Sequence, residues 1–114
     1  MTHELEGKVA IVTGGGGGIG SRIAQAFARC GEKVVIASRS MEKLTKVADE
    51  IQTLGHSCLP LVCDVTDPDQ VEHMVNETIN KLGHLDILIN NACGAMFVNL
   101  LSFSSQPRLN ERFI

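Results

Sequence analysis

The sequence predicts an α/β fold, a doubly wound parallel sheet truncated to about four strands and three helices. Two observations carry this expectation. Four short apolar runs alternate with three stretches whose apolar residues recur at helical spacing, and each of those stretches closes at a glycine. The connections are short throughout, which suits right-handed crossovers between parallel strands that are buried on both faces.

Lys8-Val9-Ala10-Ile11-Val12-Thr13 is a short, largely β-branched run that ends in glycines, hence a buried strand. Ile19, Ile23, Ala26, Phe27 and Cys30 then mark the apolar stripe of a first helix, with Gly31 at its C′ position. A second strand is expected at Lys33–Ser38. Ser40 caps a second helix, whose face is Leu44, Val47, Ala48, Ile51 and Leu54 and whose stop is Gly55. Cys58–Cys63 reads as a third strand, and Pro60, lacking an N–H, suits an edge position. Asp67-Pro68-Asp69-Gln70 combines an N-cap, Pro at N1 and an acid that the helix dipole favours. The third helix buries Val71, Met74, Val75, Thr78, Ile79 and Leu82, and Gly83 ends it; Asp86–Asn90 is the fourth strand. Residues 1–94 therefore read as one α/β half-domain and 95–114 as an irregular tail, a loop with at most a short helix. The edge beyond the fourth strand is left open or is served by that tail.

Composition excludes several partners. With 44% hydrophobic and 20% charged residues the chain is an ordinary globular sequence, and a net charge of −3 gives no reason to expect nucleic acid. Met1–Gly7 carries two acids and no apolar h-region, and no apolar run reaches membrane-spanning length, so the expected location is the cytoplasm. Cys30, Cys58, Cys63 and Cys93 form no C-x-x-C pair and have no histidine at ligand spacing. They read as small buried apolar residues, and no metal site is expected. Asp64, Asp67 and Asp69 lack the glycine and closing glutamate of a calcium loop.

The chemistry concentrates at Thr13-Gly14-Gly15-Gly16-Gly17-Gly18-Ile19-Gly20, between the first strand and the first helix. Free N–H groups at a helix N-terminus attract an anion, and glycines let a pyrophosphate approach the backbone with no Cβ in the way. Thr13, Gly14, Gly18 and Gly20 fit the T-G-x-x-x-G-x-G pattern, so this stretch resembles the cofactor loop of the short-chain dehydrogenase/reductase family. Cys63-Asp64-Val65 is similar to the end of that family's third strand, and Asp86–Ala92 to its fourth strand and N-N-A-G motif, with Cys93 in the usual glycine position. Asn90–Phe97 is somewhat similar to the N-N-A-A-G-N-F run of the enoyl and dienoyl coenzyme-A reductases.

The resemblance implies a Rossmann-type sheet that binds a nicotinamide dinucleotide, and a small carbonyl, alcohol or enoyl substrate. It places Thr13, Gly14, Gly18, Ile19 and Gly20 at the pyrophosphate, Asp64 and Val65 at the adenine, and Asn91 and Ala92 in the framework beside the cofactor. Asp64 also has a plainer reading as a turn residue between strand and helix. At the end of the second strand, where an acid would bind a ribose 2′-hydroxyl, the chain has Ser38 followed by Arg39. Arginine can grip a 2′-phosphate, so NADP(H) is favoured over NAD(H).

The family's serine–tyrosine–lysine chemistry has no counterpart, because the chain contains no tyrosine. No catalytic residue is assigned, and the chain alone is expected to be inactive. Two function classes follow: an oxidoreductase represented by a truncated chain (an isoform, a frameshifted product or an incomplete gene model), or a non-catalytic nucleotide- or partner-binding module. The loss of pattern after Gly94 favours the first. Oligomeric state is not readable.

Overall fold

Strands that are apolar on both faces must be covered on both faces, and that requirement sets the architecture. The computed structural model describes residues 7–14, 16 and 18–91, and the backbone of 97–103. Its elements are β1 (Val9–Thr13), α1 (Gly18–Arg29), β2 (Lys33–Ser38), α2 (Met41–Thr53), β3 (Cys58–Val62), α3 (Pro68–Leu82), β4 (Leu85–Asn90) and β5 (Phe97–Phe103). The sheet order is β3-β2-β1-β4-β5. The first four strands are mutually parallel, with Ile11 opposite both Val35 and Leu88.

Alternation along β1 sends Ala10 and Val12 to one face and Val9 and Ile11 to the other. On the first face, Val34, Ile36, Ile87 and Ile89 complete the sheet side of a core closed by α1 and by Leu44, Val47, Ala48 and Ile51 of α2. On the second, Val35, Ala37, Leu85 and Leu88 pack under Met74 and Val75 of α3. Burying each such aliphatic side chain stabilises the fold by roughly 1.5–3 kcal/mol, so the central strands dominate its stability. β3 lies at the sheet edge with Pro60 opposite Ile36, where a missing N–H is tolerated.

The helix ends follow the local chemistry. Ser40 accepts the Lys43 N–H at 3.4 Å, Asp67 accepts the Asp69 N–H at 3.0 Å, and Gly83 closes α3 at φ 95° with its N–H donated to the Ile79 carbonyl at 2.8 Å. No helix among the described residues is long and apolar enough to cross a membrane.

Three elements differ from the sequence expectation. Leu54, expected on the buried face of the second helix, lies at the C-cap of α2 and is exposed. The buried positions of α1 are Gly20, Ala24 and Ala28, with Ile23 and Phe27 partly covered, whereas Ile19 is 63% exposed and Ala26 faces solvent. Small residues mark that face because the helix sits close against the sheet. Within the stretch read as an irregular tail, Phe97–Phe103 forms a strand that pairs antiparallel with β4. It covers the edge that would otherwise stand open.

Candidate functional site

Parallel strands end on one edge of the sheet, so the turns after β1, β2 and β3 gather there. They enclose a cleft of about 270 Å³ lined by Gly14, Ala37, Ser38, Arg39, Cys63, Asp64, Val65 and Thr66. Five of the residues singled out from sequence are thus brought together: Gly14, Ser38, Arg39, Asp64 and Val65. Ala37, Cys63 and Thr66 were not singled out as site residues. Alternation along β2 was the only signal for Ala37, and adjacency to Asp64 the only one for the other two.

The glycine loop is tied to the cleft by its first residue, whose N–H donates to the Ala37 carbonyl at 2.8 Å. Its glycines serve different ends. Gly18 opens α1 at φ +58°, and a Cβ there would meet nothing within 4 Å among the described residues. A Cβ on Gly20 would lie 2.1 Å from the Gly14 carbonyl oxygen and 3.1 Å from Asn91 Nδ2. Gly20 therefore allows helix and strand end to approach, whatever binds above. The first turn of α1 holds no acid, unlike those of α2 and α3, which carry Glu42 and Asp69. The first N–H groups of a helix have no intrahelical partner, and with the helix dipole they favour an anion.

Thr13 is 2% exposed and acts inside the sheet. Its hydroxyl lies 3.2 Å from the Ile89 carbonyl and 3.1 Å from Asn90 Oδ1, and it accepts the Asn91 N–H at 2.9 Å. Thr13 and Asn91 consequently lock β1 to the end of β4. Ala92, Cys93 and Gly94 lie outside the described residues.

At the mouth of the cleft, Ser38 Oγ accepts the Ser40 N–H at 3.0 Å and shapes the turn that presents Arg39. Arg39 is exposed and makes no ion pair with a carboxylate among the described residues. Asp64 Oδ1 accepts from the Thr66 hydroxyl at 2.6 Å and the Thr66 N–H at 3.0 Å. Those two bonds, the hydroxyl foremost, and the charge of Arg39 hold its carboxyl below the usual range, against some desolvation. Asp64 is therefore a turn residue whose fixed carboxylate also lines the cleft. Burial, then the charges of Asp64 and Asp67, push the Cys63 thiol up, and burial raises Cys58 to about 11, so neither is a ready nucleophile. No three His, Cys, Asp or Glu side chains among the described residues come together as metal ligands.

Comparison with known proteins follows this geometry. The family model for short chain dehydrogenase matches residues 8–111. The chain is 45% identical over 101 residues to a peroxisomal 2,4-dienoyl-CoA reductase of Danio rerio, covering 88% of this chain and 34% of that protein. It is 43% identical over 90 residues to a 7alpha-hydroxysteroid dehydrogenase of Escherichia coli, covering 79% and 35%. Among solved structures, a hydroxysteroid dehydrogenase from Escherichia coli superposes with a TM-score of 0.74 at 41% identity, over 77% of this chain and 37% of that one. The chain spans about a third of the length of the curated relatives it matches.

Proposed function

The chain belongs to the short chain dehydrogenase family, whose members bind NAD(P)(H), and on that premise we propose that its glycine loop and cleft hold the adenosine and pyrophosphate half of NADP(H). The whole protein is then an oxidoreductase moving hydride between that cofactor and a carbonyl, alcohol or enoyl compound. The relatives named above, a dienoyl-CoA reductase and a hydroxysteroid dehydrogenase, span those classes.

The observation that carries the reading is the cleft at the strand ends, lined by Gly14 of the glycine loop and by an exposed arginine, Arg39, that makes no ion pair with a carboxylate among the described residues. In this assignment the Gly18–Gly20 turn receives the pyrophosphate, and Ile19 offers its exposed side chain as an apolar wall. Asp64 and Val65 border the adenine, and Ser38 and Arg39 receive the ribose 2′-phosphate. Thr13 and Asn91 hold the floor, with Ala92 beside them by the family pattern. When bound, the nicotinamide supplies the hydride; these residues bind and orient the far end of the molecule.

A charge-assisted pair to a phosphate contributes roughly 1.5–3 kcal/mol, on the order of tenfold to a hundredfold in affinity. Calorimetry should therefore find NADPH bound tighter than NADH by that order. Arg39→Ala should remove the difference and leave NADH binding nearly unchanged. Equal loss for both cofactors would assign Arg39 to the general shape of the pocket and end the claim of NADP(H) preference.

A further inference from the structure

At the opposite end of the sheet from the cleft, three titratable groups meet where β1, β2 and β4 begin. Glu32, one residue ahead of β2, is 2% exposed, and neither carboxyl oxygen has a hydrogen-bond partner among the described residues. Two strand positions away, Asp86 Oδ2 accepts the Val9 N–H at 2.9 Å and sits 2.6 Å from His84 Nδ1. The pairing of β4 with β5 slips between Leu85 and Ile87, and the alternation along β4 is broken over the same residues. Leu85 and Leu88 then share one face, and Asp86 faces the first N–H of β1. The other charges on the elements that meet here are Lys8 ahead of β1, Lys33 heading β2 and Arg29 ending α1. All three are exposed, and none pairs with Glu32.

We infer that Glu32 is a proton latch on this pole of the sheet: the folded chain keeps its carboxyl neutral, and the fold loosens as the proton leaves. A charged carboxylate sealed from water and without a partner is the costly state, and the charge of Asp86 across β1 adds to that cost. Burial first, and Asp86 second, accordingly raise Glu32 from 4.5 to about 7. The sign follows from linkage. Between those two values the native chain holds a proton that the unfolded chain has lost, so the stability that Glu32 contributes is full below about pH 4.5 and is lost as pH rises to about 7. The whole span amounts to about 300-fold in the unfolding constant.

Urea unfolding of the full chain between pH 5 and 8.5 reads this directly, with the Glu32 carboxyl carbon followed by NMR in glutamate-labelled protein. The expected result is a resonance that titrates near 7 and a stability that declines from pH 5 and levels off above about 7. Glu32→Gln should flatten the decline, and His84→Gln should preserve it. A Glu32 resonance titrating in the ordinary carboxylate range overturns the inference, whether or not the glutamine variant folds. So does a decline that survives Glu32→Gln, or one that disappears in His84→Gln, which would make His84 the sensor.

Discussion

Gly18 and Gly20 stand two residues apart in one loop, yet they should fail for different reasons when replaced by alanine. In Gly20→Ala the new methyl carbon would lie 2.1 Å from the Gly14 carbonyl oxygen and 2.8 Å from its carbon. Gly14 cannot yield freely, because its N–H is held by the Ala37 carbonyl at 2.8 Å. Helix α1 must therefore back away from the sheet by roughly 1 Å, loosening Ala24 and Ala28 from the core they share with Val12 and Val34. Overpacking against backbone belongs at the upper end of the usual range, about 3 kcal/mol, or on the order of a hundredfold in the unfolding constant. Gly18→Ala meets open space, and its cost is the left-handed backbone alone, roughly 1–2 kcal/mol. Its methyl would, however, enter the volume assigned to the pyrophosphate. Urea denaturation followed by circular dichroism, with m unchanged, gives the two stabilities, and calorimetry with NADPH gives the affinities. Gly20→Ala should be the less stable protein, while Gly18→Ala should lose binding out of proportion to its stability. Equal stability of Gly20→Ala and the parent would refute the close-packing role, and undiminished NADPH binding by Gly18→Ala would refute the cradle.

Thr13→Val removes the hydroxyl that accepts the Asn91 N–H inside the sheet, leaving buried polar groups unpaired. It should cost about 1–3 kcal/mol in the same denaturation assay, whereas Thr13→Ser should retain most of the stability. The 114-residue chain, which has no tyrosine, should bind NADPH without oxidising it against a panel of ketones, aldehydes and enoyl thioesters. Positioned acid–base catalysis contributes about a hundredfold to ten-thousandfold, so turnover near an ordinary ten or so per second would show that another residue does the chemistry.

The parallel sheet was legible because its signals are local. Apolar runs, glycine stops and the Asp67–Pro68 start each act within a few residues, and the elements form where those signals stand. The cleft was legible for a related reason: parallel order sends every strand end to one edge, so Gly14, Ser38, Arg39 and Asp64 had to meet. The buried face of α1 was not. Its closest contacts are made by Gly20, Ala24 and Ala28, and hydrophobicity pointed instead to Ile19 and Ala26. β5 was missed because the stretch from Leu100 carries serines and a proline and shows no clear alternation, although it pairs with the strand immediately before it in the chain. Glu32 was unreadable too. A charged residue between Gly31 and Lys33 reads as loop, and its burial is a property of the tertiary fold that no neighbouring residue announces. Thr13 was recognised as part of a motif, but its actual partners, Ile89, Asn90 and Asn91, lie more than seventy residues away.

The central claim, that the edge of the sheet after β1, β2 and β3 is a dinucleotide site, is tested most directly by mapping backbone amide shifts in the labelled chain during titration with NADPH. The account predicts saturable shifts at Gly14, Gly18, Ile19, Arg39, Asp64 and Val65, reproduced in the Arg39–Val65 region by adenosine 2′,5′-bisphosphate alone. Amides at the Glu32 and Asp86 pole should stay still. A well-folded chain whose cleft amides do not move, or whose shifts cluster away from those strand ends, would contradict it.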